Sequence, residues 1–318
     1  MNDAFFVSIL AVTIRAGTSL LYATIGEIYT ERAGILNLGV EGIMIMGAVI
    51  GFAGAYHSGN PWLGVLLAML TGGLLALLHA ALTVSLQADQ VVSGLVLTIF
   101  GTGMANFLGQ KLGPEGGPLV GLVGPKFIRH PLPGFSELPL IGPALFNQDV
   151  LVYLMYVLVP LSWFYLYKTR PGLHLRAVGE NPHTADALGV NVYGLRYLYT
   201  AVGGALIGLG GAHLSLSYTP GWTDGLTAGR GWIAVALVIF AAWDPARAVL
   251  GAILFGGVNA VQFRLQAAGT TIPASFLGMM PYLLTIVVLV LITWWEKFSR
   301  RVRAPAALGQ PFTREERG

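Results

Sequence analysis

Residues 62–86 read Trp62-Leu63-Gly64-Val65-Leu66-Leu67-Ala68-Met69-Leu70-Thr71-Gly72-Gly73-Leu74-Leu75-Ala76-Leu77-Leu78-His79-Ala80-Ala81-Leu82-Thr83-Val84-Ser85-Leu86, with no Asp, Glu, Lys or Arg among them. A helix that crosses ~30 Å of hydrocarbon needs about 20 mostly apolar residues, and this run supplies them. Eight further runs of this kind lie at about 4–25, 35–55, 91–111, 150–167, 197–217, 230–243, 248–266 and 277–295. The run at 230–243 is short and follows Gly225, Gly229 and Gly231, which reads as a half-helix or a helix that starts earlier; the count is about nine, between eight and ten. No run alternates in the ten-residue manner of a membrane β-barrel. Of the 318 residues, 55% are hydrophobic and 10% charged, and mean hydropathy is +0.69. Soluble domains carry about 25% charged residues, so this chain is too poor in charge to solvate a water-facing surface. The absence of cysteine excludes a disulfide scaffold and a thiolate metal centre. The expected fold class is all-α: a polytopic membrane protein in which residues 1–318 form one transmembrane domain.

Basic residues orient the spans. With nine spans and the C-terminus inside, twelve Lys and Arg fall inside: Arg32, Lys168, Arg170, Arg176, Arg196, Arg247 and six in the 296–318 tail. Five fall outside, and Arg15 lies within the first span. The N-terminus is then outside, and Asp3 in place of a basic n-region argues against a signal peptide. Two long loops remain. The extracytoplasmic loop 112–149 holds seven prolines and cannot be one helix; it is expected to form an ordered cap or a receptor-facing surface. The cytoplasmic loop 168–196 is the most polar stretch before the tail. The basic residues flank spans and form no single stripe, so no nucleic-acid partner is expected.

A shift of 184 residues aligns Pro61 with Pro245, Val65 with Val249, Leu66 with Leu250, Ala68 with Ala252, Leu70 with Leu254, Gly72–Gly73 with Gly256–Gly257 and Ala76 with Ala260. The two spans run in opposite directions, which makes this an inverted repeat, a construction of transporters with the route at the repeat interface. Common small-residue helix packing is the alternative.

Two segments concentrate polar chemistry. In Gly26–Gly42, Glu27, Glu31 and Arg32 are expected at the inner mouth, and Asn37 and Glu41, four apart, are expected on one helix face. An intramembrane carboxylate or amide faces protein or water, so Asn37 and Glu41 either flank a translocation route or bond helix to helix. Arg15 is expected to pair with Glu27 or with the backbone of another helix, with contact to substrate as the alternative. In the inside loop, Asn181 can cap a helix, Pro182 suits its first turn and Gly189 stops it, which predicts a helix over 182–188. So short a helix needs a docking surface, either a soluble motor or the membrane surface.

The order Gly179-Glu180-Asn181-Pro182-x-x-Ala185-Asp186-x-x-Gly189 resembles the coupling-helix loop of binding-protein-dependent ABC importer permeases of the ribose and branched-chain amino-acid type. Glu31-Arg32-Ala33-Gly34-Ile35-Leu36-Asn37-Leu38-Gly39-Val40-Glu41-Gly42, Gly229–Ala234 and Asp244-Pro245 look like the nucleoside and simple-sugar branch; the branched-chain amino-acid permeases usually have His-Gly where this chain has Glu41-Gly42. Asp186 departs from the small or basic residue usual there. The resemblance covers nearly the whole chain. It implies a type II importer permease in a bacterial plasma (inner) membrane, with a nucleoside as substrate and a simple sugar or branched-chain amino acid as alternatives. It also implies ABC ATPase subunits, a second and different permease, and a substrate-binding lipoprotein as partners. ATP and Mg would sit on the ATPase, and this chain would bind no cofactor and catalyse nothing. Trp222 and Trp232 are the aromatic candidates for stacking on a nucleobase, with interface anchoring as their other role.

Other chemistry is thin. A P-loop needs Gly-Lys-Ser/Thr, and none of Lys111, Lys126, Lys168 and Lys297 follows a glycine. The six histidines lack zinc-site spacing. An ion-coupled transporter would need intramembrane carboxylates, of which Glu41 is the clear candidate. A membrane enzyme would need convergent acid, base or metal groups, and none stands out.

Overall fold

The computed structural model describes residues 3–139, 141–296 and 304–314. Twelve helices follow in order: α1 Asp3–Arg32, α2 Val40–Ser58, α3 Pro61–Ala80, α4 Gln90–Gly109, α5 Ile141–Leu145, α6 Val150–Lys168, α7 Arg170–Glu180, α8 Pro182–Ala187, α9 Val192–His213, α10 Arg230–Phe240, α11 Pro245–Ala267 and α12 Ala274–Glu296. Among the described residues seven helices are long and apolar enough to cross a membrane, and α10 with Ser275–Val288 of α12 forms two shorter apolar segments. These nine fall where the nine apolar runs lie.

Local chemistry sets the boundaries. Asn60, Asp89, Asp149 and Asp244 each accept backbone N–H bonds at the start of the next helix, and Pro61 and Pro245 occupy first-turn positions. The helices α3 and α9 end in π-helical turns, Ala81–Ser85 and Leu214–Tyr218.

Helices α1, α2 and α9 form the enclosed centre, while α3, α4, α11 and α12 turn large apolar side chains outward, among them Leu66, Leu74, Ile99, Leu250, Ile286 and Val290. In water this belt would drive aggregation; in a bilayer it is the lipid-facing surface. Small residues bring backbones together inside the bundle. A Cβ at Gly72 of α3 would overlap the Gly204 carbonyl of α9, and a Cβ at Gly256 of α11 would overlap the Thr13 carbonyl of α1. Those two glycines are partners in the 184-residue repeat, so the repeat positions make equivalent contacts on two different helices.

Contacts define two faces. One holds the end of α1, the 33–39 turn, α7, α8, the start of α9 and residues 304–314: Ala307 N–H donates to Gly179 O and Gly309 N–H to Gly34 O. The opposite face holds the α2–α3 turn and the 112–149 segment. Here Arg129–Pro131 pairs antiparallel with Asn147–Asp149, α5 lies between them, and Phe127 N–H donates to Leu216 O across 2.9 Å.

Three expectations change. Helix α1 runs seven residues past position 25, so Glu27 and Glu31 lie in its last two turns, toward the face with α8, with side chains buried in the bundle instead of open to a mouth. Asn37 lies in the turn before α2, because Gly34 at φ 85° ends the helical path and the Asn37 side-chain oxygen accepts the Gly39 N–H; it shares no helix face with Glu41. Arg15 bonds the Ala11 carbonyl of its own helix, while Glu27 accepts the Asn37 N–H.

Candidate functional site

A broken helix lies at the centre of the bundle. After Tyr218 the chain leaves helical geometry, and Gly221, Gly225, Ala228 and Gly229 all take positive φ before α10 begins at Arg230. Residues 222–224 lie near the end of α4, where Gln110 donates to Asp224. By Arg230 the chain has reached half the height of α1, since Arg230 Nη1 donates to Ala16 O at 3.2 Å. Non-helical backbone at membrane depth is tolerated only when buried in protein or lining a polar cavity.

Glu41 holds this break. Its Oε1 accepts the Thr227 hydroxyl at 2.5 Å and the Gly229 N–H at 2.9 Å, and its Oε2 accepts the Gly231 N–H at 2.6 Å. The first N–H groups of a helix have no partner within it and carry its positive dipole end, so a buried carboxylate there is doubly favoured. Gly231 must be glycine for close approach, because a Cβ would overlap the Glu41 backbone.

Beside the break is a cavity of about 380 Å³, within the usual range for small-ligand sites. Its wall includes Tyr218, Arg230, Asn259, Gln262, Phe263 and Tyr282. The Arg230 guanidinium lies 5.1 Å from the Tyr218 ring centre, and Tyr282 OH donates to Ala228 O at 2.8 Å. Asn259 and Gln262, three apart on α11, present amides on one face. Amides, an arginine and aromatic rings suit a polar neutral solute with a flat face.

None of Asn37, Glu41, Trp222 and Trp232 is on that wall. Glu41 reaches the cavity only through the backbone it holds. Trp222 is buried against Gly109, and Trp232, beside a wall residue, is partly exposed. The sequence reading missed Asn259, Gln262 and Tyr282. Asn259 and Gln262, polar side chains in the 248–266 run ahead of Arg264 and Gln266, were the signal that could have found the first two.

On the face with the C-terminal segment, α8 forms as its caps dictate. Asn181 Oδ1 accepts the Thr184 N–H at 2.9 Å, Pro182 opens the helix and Gly189 at φ 82° closes it. Gly179 lies against the Arg32 carbonyl, too close for a Cβ. Glu180, His183, Thr184 and Leu188 are exposed, while Pro182 and Ala185 face inward. Asp186 forms an ion pair with Arg314 at 3.0 Å. Preceding α8 is a helix the sequence reading did not separate from the loop: α7, capped by Thr169 on the Gly172 N–H and buried through Gly172, Leu175 and Val178.

A lipid-facing belt around an inverted repeat, a broken helix beside a cavity lined from α10, α11 and α12, and a capped helix exposed on one face define a membrane transport permease. The chain belongs to the family described as branched-chain amino acid transport system / permease component, which matches residues 8–293. It is 41% identical to a protein of Haloferax volcanii provisionally named glucose ABC transporter permease protein TsgC13, over 98% of this chain and 99% of that one. It is 38% identical to the nucleoside ABC transporter permease protein NupC of Lactococcus lactis subsp. cremoris, over 95% of each. It is 32% identical to the guanosine ABC transporter permease protein NupQ of Bacillus subtilis, over 97% of each. These relatives match the nucleoside and simple-sugar branch. The chain is therefore a multi-pass permease subunit of an ABC transporter, not an enzyme; ATP hydrolysis belongs to a separate ATPase subunit, and a substrate-binding component completes the system.

Proposed function

We propose that this permease carries nucleosides inward, using the cavity beside the broken helix as the stop on the route. The cavity wall carries the reading: paired amides on α11 match the edge of a base, Tyr218, Phe263 and Tyr282 supply stacking faces, and Arg230 donates to carbonyl or hydroxyl oxygens. Glu41 and Asn37 act behind the wall, Glu41 as the clamp on the break and Asn37 as the turn before α2. Trp222 anchors the incoming loop. A simple sugar is the second reading, favoured by the relative named for glucose; it would use the amides and Arg230 for its hydroxyls and lay a C–H face on a ring.

The face with α8 and residues 304–314 is cytoplasmic, and the N-terminus is outside. Residues 179–189 are the loop on which the ATPase docks. A lipoprotein receptor delivers solute to the 112–149 face. A second, different permease completes the pathway. ATP and Mg sit on the ATPase, whose binding cycle supplies the free energy that alternates the two openings.

The test is reconstitution of the four components in vesicles. ATP-dependent uptake of guanosine or uridine, competed by other nucleosides and not by glucose, is expected. Uptake of glucose alone moves the reading to the sugar branch. Uptake by this chain alone, driven by a proton or sodium gradient, overturns the mechanism.

A further inference from the structure

Residues 304–314 run as a strap across four elements. Backbone bonds tie Ala307 to Gly179 at the end of α7 and Gly309 to Gly34 after α1. On α9, Arg196 Nη1 donates to Gln310 O and Tyr193 OH to Phe312 O, both at 3.2 Å. The buried Phe312 ring packs with Val178, Ala185 and Val192, 5.0 Å from the His183 ring and 5.3 Å from that of Tyr193. Arg314 closes the strap with two N–H donors on Asp186 Oδ1.

We propose that this strap is a working half of the ATPase-docking surface: it sets the posture of α8 on α1, α7 and α9, so that the partner ATPase meets α8 and the strap as one unit, with Phe312 as the positioning residue. The proposal rests on the reading that α8 docks the ATPase. A six-residue helix has no stability of its own, and its caps hold its ends but not its inward side. That side is Pro182 and Ala185, and Phe312 is the largest of the buried side chains in the apolar cluster that holds Ala185. The outward side of the unit presents His183, Thr184, Leu188 and Arg314, a polar surface with one apolar knob, Leu188 being 79% exposed. Such a surface fits a protein groove better than a bilayer. The strap also accounts for Asp186, whose charge is answered within the chain and so presents no bare carboxylate to the partner.

The experiment compares the assembled importer carrying wild-type permease, Phe312→Ala, Phe312→Leu, a stop after residue 303, and Arg314→Asp with and without Asp186→Arg; Gly189→Trp serves as the α8 control. ATPase retained on the purified permease and solute moved per ATP hydrolysed are measured, with receptor binding and membrane level as references. Emptying the Phe312 site is expected to cut retention or the transport ratio by about tenfold, with Phe312→Leu recovering most of it. The Asp186→Arg/Arg314→Asp pair is expected to exceed Arg314→Asp alone. If the stop variant fails to reach the membrane, Phe312→Ala decides, since it leaves the backbone bonds of the strap in place. Retention and ratio within about twofold of wild type in Phe312→Ala, while Gly189→Trp loses the ATPase, would overturn the strap alone. Wild-type retention in Gly189→Trp as well would overturn the docking reading beneath it.

Discussion

Glu41 makes three hydrogen bonds to partners 186, 188 and 190 residues away, and two of them satisfy backbone N–H groups at the buried start of α10. Truncation to alanine strands those donors, each at a cost of about 1–3 kcal/mol. Glu41→Ala is therefore expected to lower the thermal midpoint of the purified permease and abolish transport, whereas Glu41→Gln, which keeps the acceptor oxygen on Gly229 and Thr227, should retain part of both. A Glu41→Ala variant that transports like the wild type would remove the clamp from the mechanism. The residue itself was legible in the sequence, because a carboxylate in an apolar run must have a partner. The identity of that partner was not, since no local spacing links position 41 to positions 227–231. Asn37 failed for a local reason: the four-residue spacing to Glu41 assumes continuous helix, and α2 begins only at Val40, with the Asn37 side-chain oxygen accepting the Gly39 N–H in the turn before it.

The ends of α8 were read well because their causes are local. The Asn181 cap, Pro182 and the Gly189 stop delimit α8 within one residue of the predicted end. The repeat was legible for the same kind of reason, as identical small residues at one spacing, and the structure gives those identities a mechanical meaning. Gly72 and Gly256 each meet a carbonyl of the neighbouring helix where a Cβ would overlap, but Gly73 next to the first has 3.5 Å to its nearest neighbour, the Ala201 carbonyl. Gly72→Ala and Gly256→Ala are expected to force helices apart, costing about 1–3 kcal/mol each and more for larger side chains, while Gly73→Ala should be near neutral. Fluorescence-detected size exclusion with a thermal ramp separates them; equal midpoints for Gly72→Ala and Gly73→Ala would mean that the α3–α9 contact yields without cost. Helix α7 escaped the sequence reading because its apolar face is narrow and its charges resemble a loop, although Thr169-Arg170-Pro171 carries a start signal.

At the scale of the molecule, the two faces are linked by a continuous alternation of helices, so the side of any one exposed position fixes the side of every other. Basic residues choose the direction. Arg32, Arg176, Arg196 and Arg314 all lie toward the face of α8, bonded to Trp243, Leu166, Gln310 and Asp186 in turn, and the basic-residue rule makes that face the expected cytoplasmic one. The chain has no cysteine, which makes single-cysteine labelling clean. Leu188→Cys, at the exposed end of α8, and Asn60→Cys, in the exposed α2–α3 turn on the opposite face, are the informative pair. In intact cells an impermeant maleimide should label Asn60→Cys and spare Leu188→Cys, and in inverted vesicles the pattern should exchange. Labelling of both from one side would break the alternation of spans, and with it the inverted repeat. The exchanged pattern in intact cells would keep the fold and turn it over, placing α8 where no ATPase could reach it, so this one measurement bears on the architecture and on the proposed motor contact together.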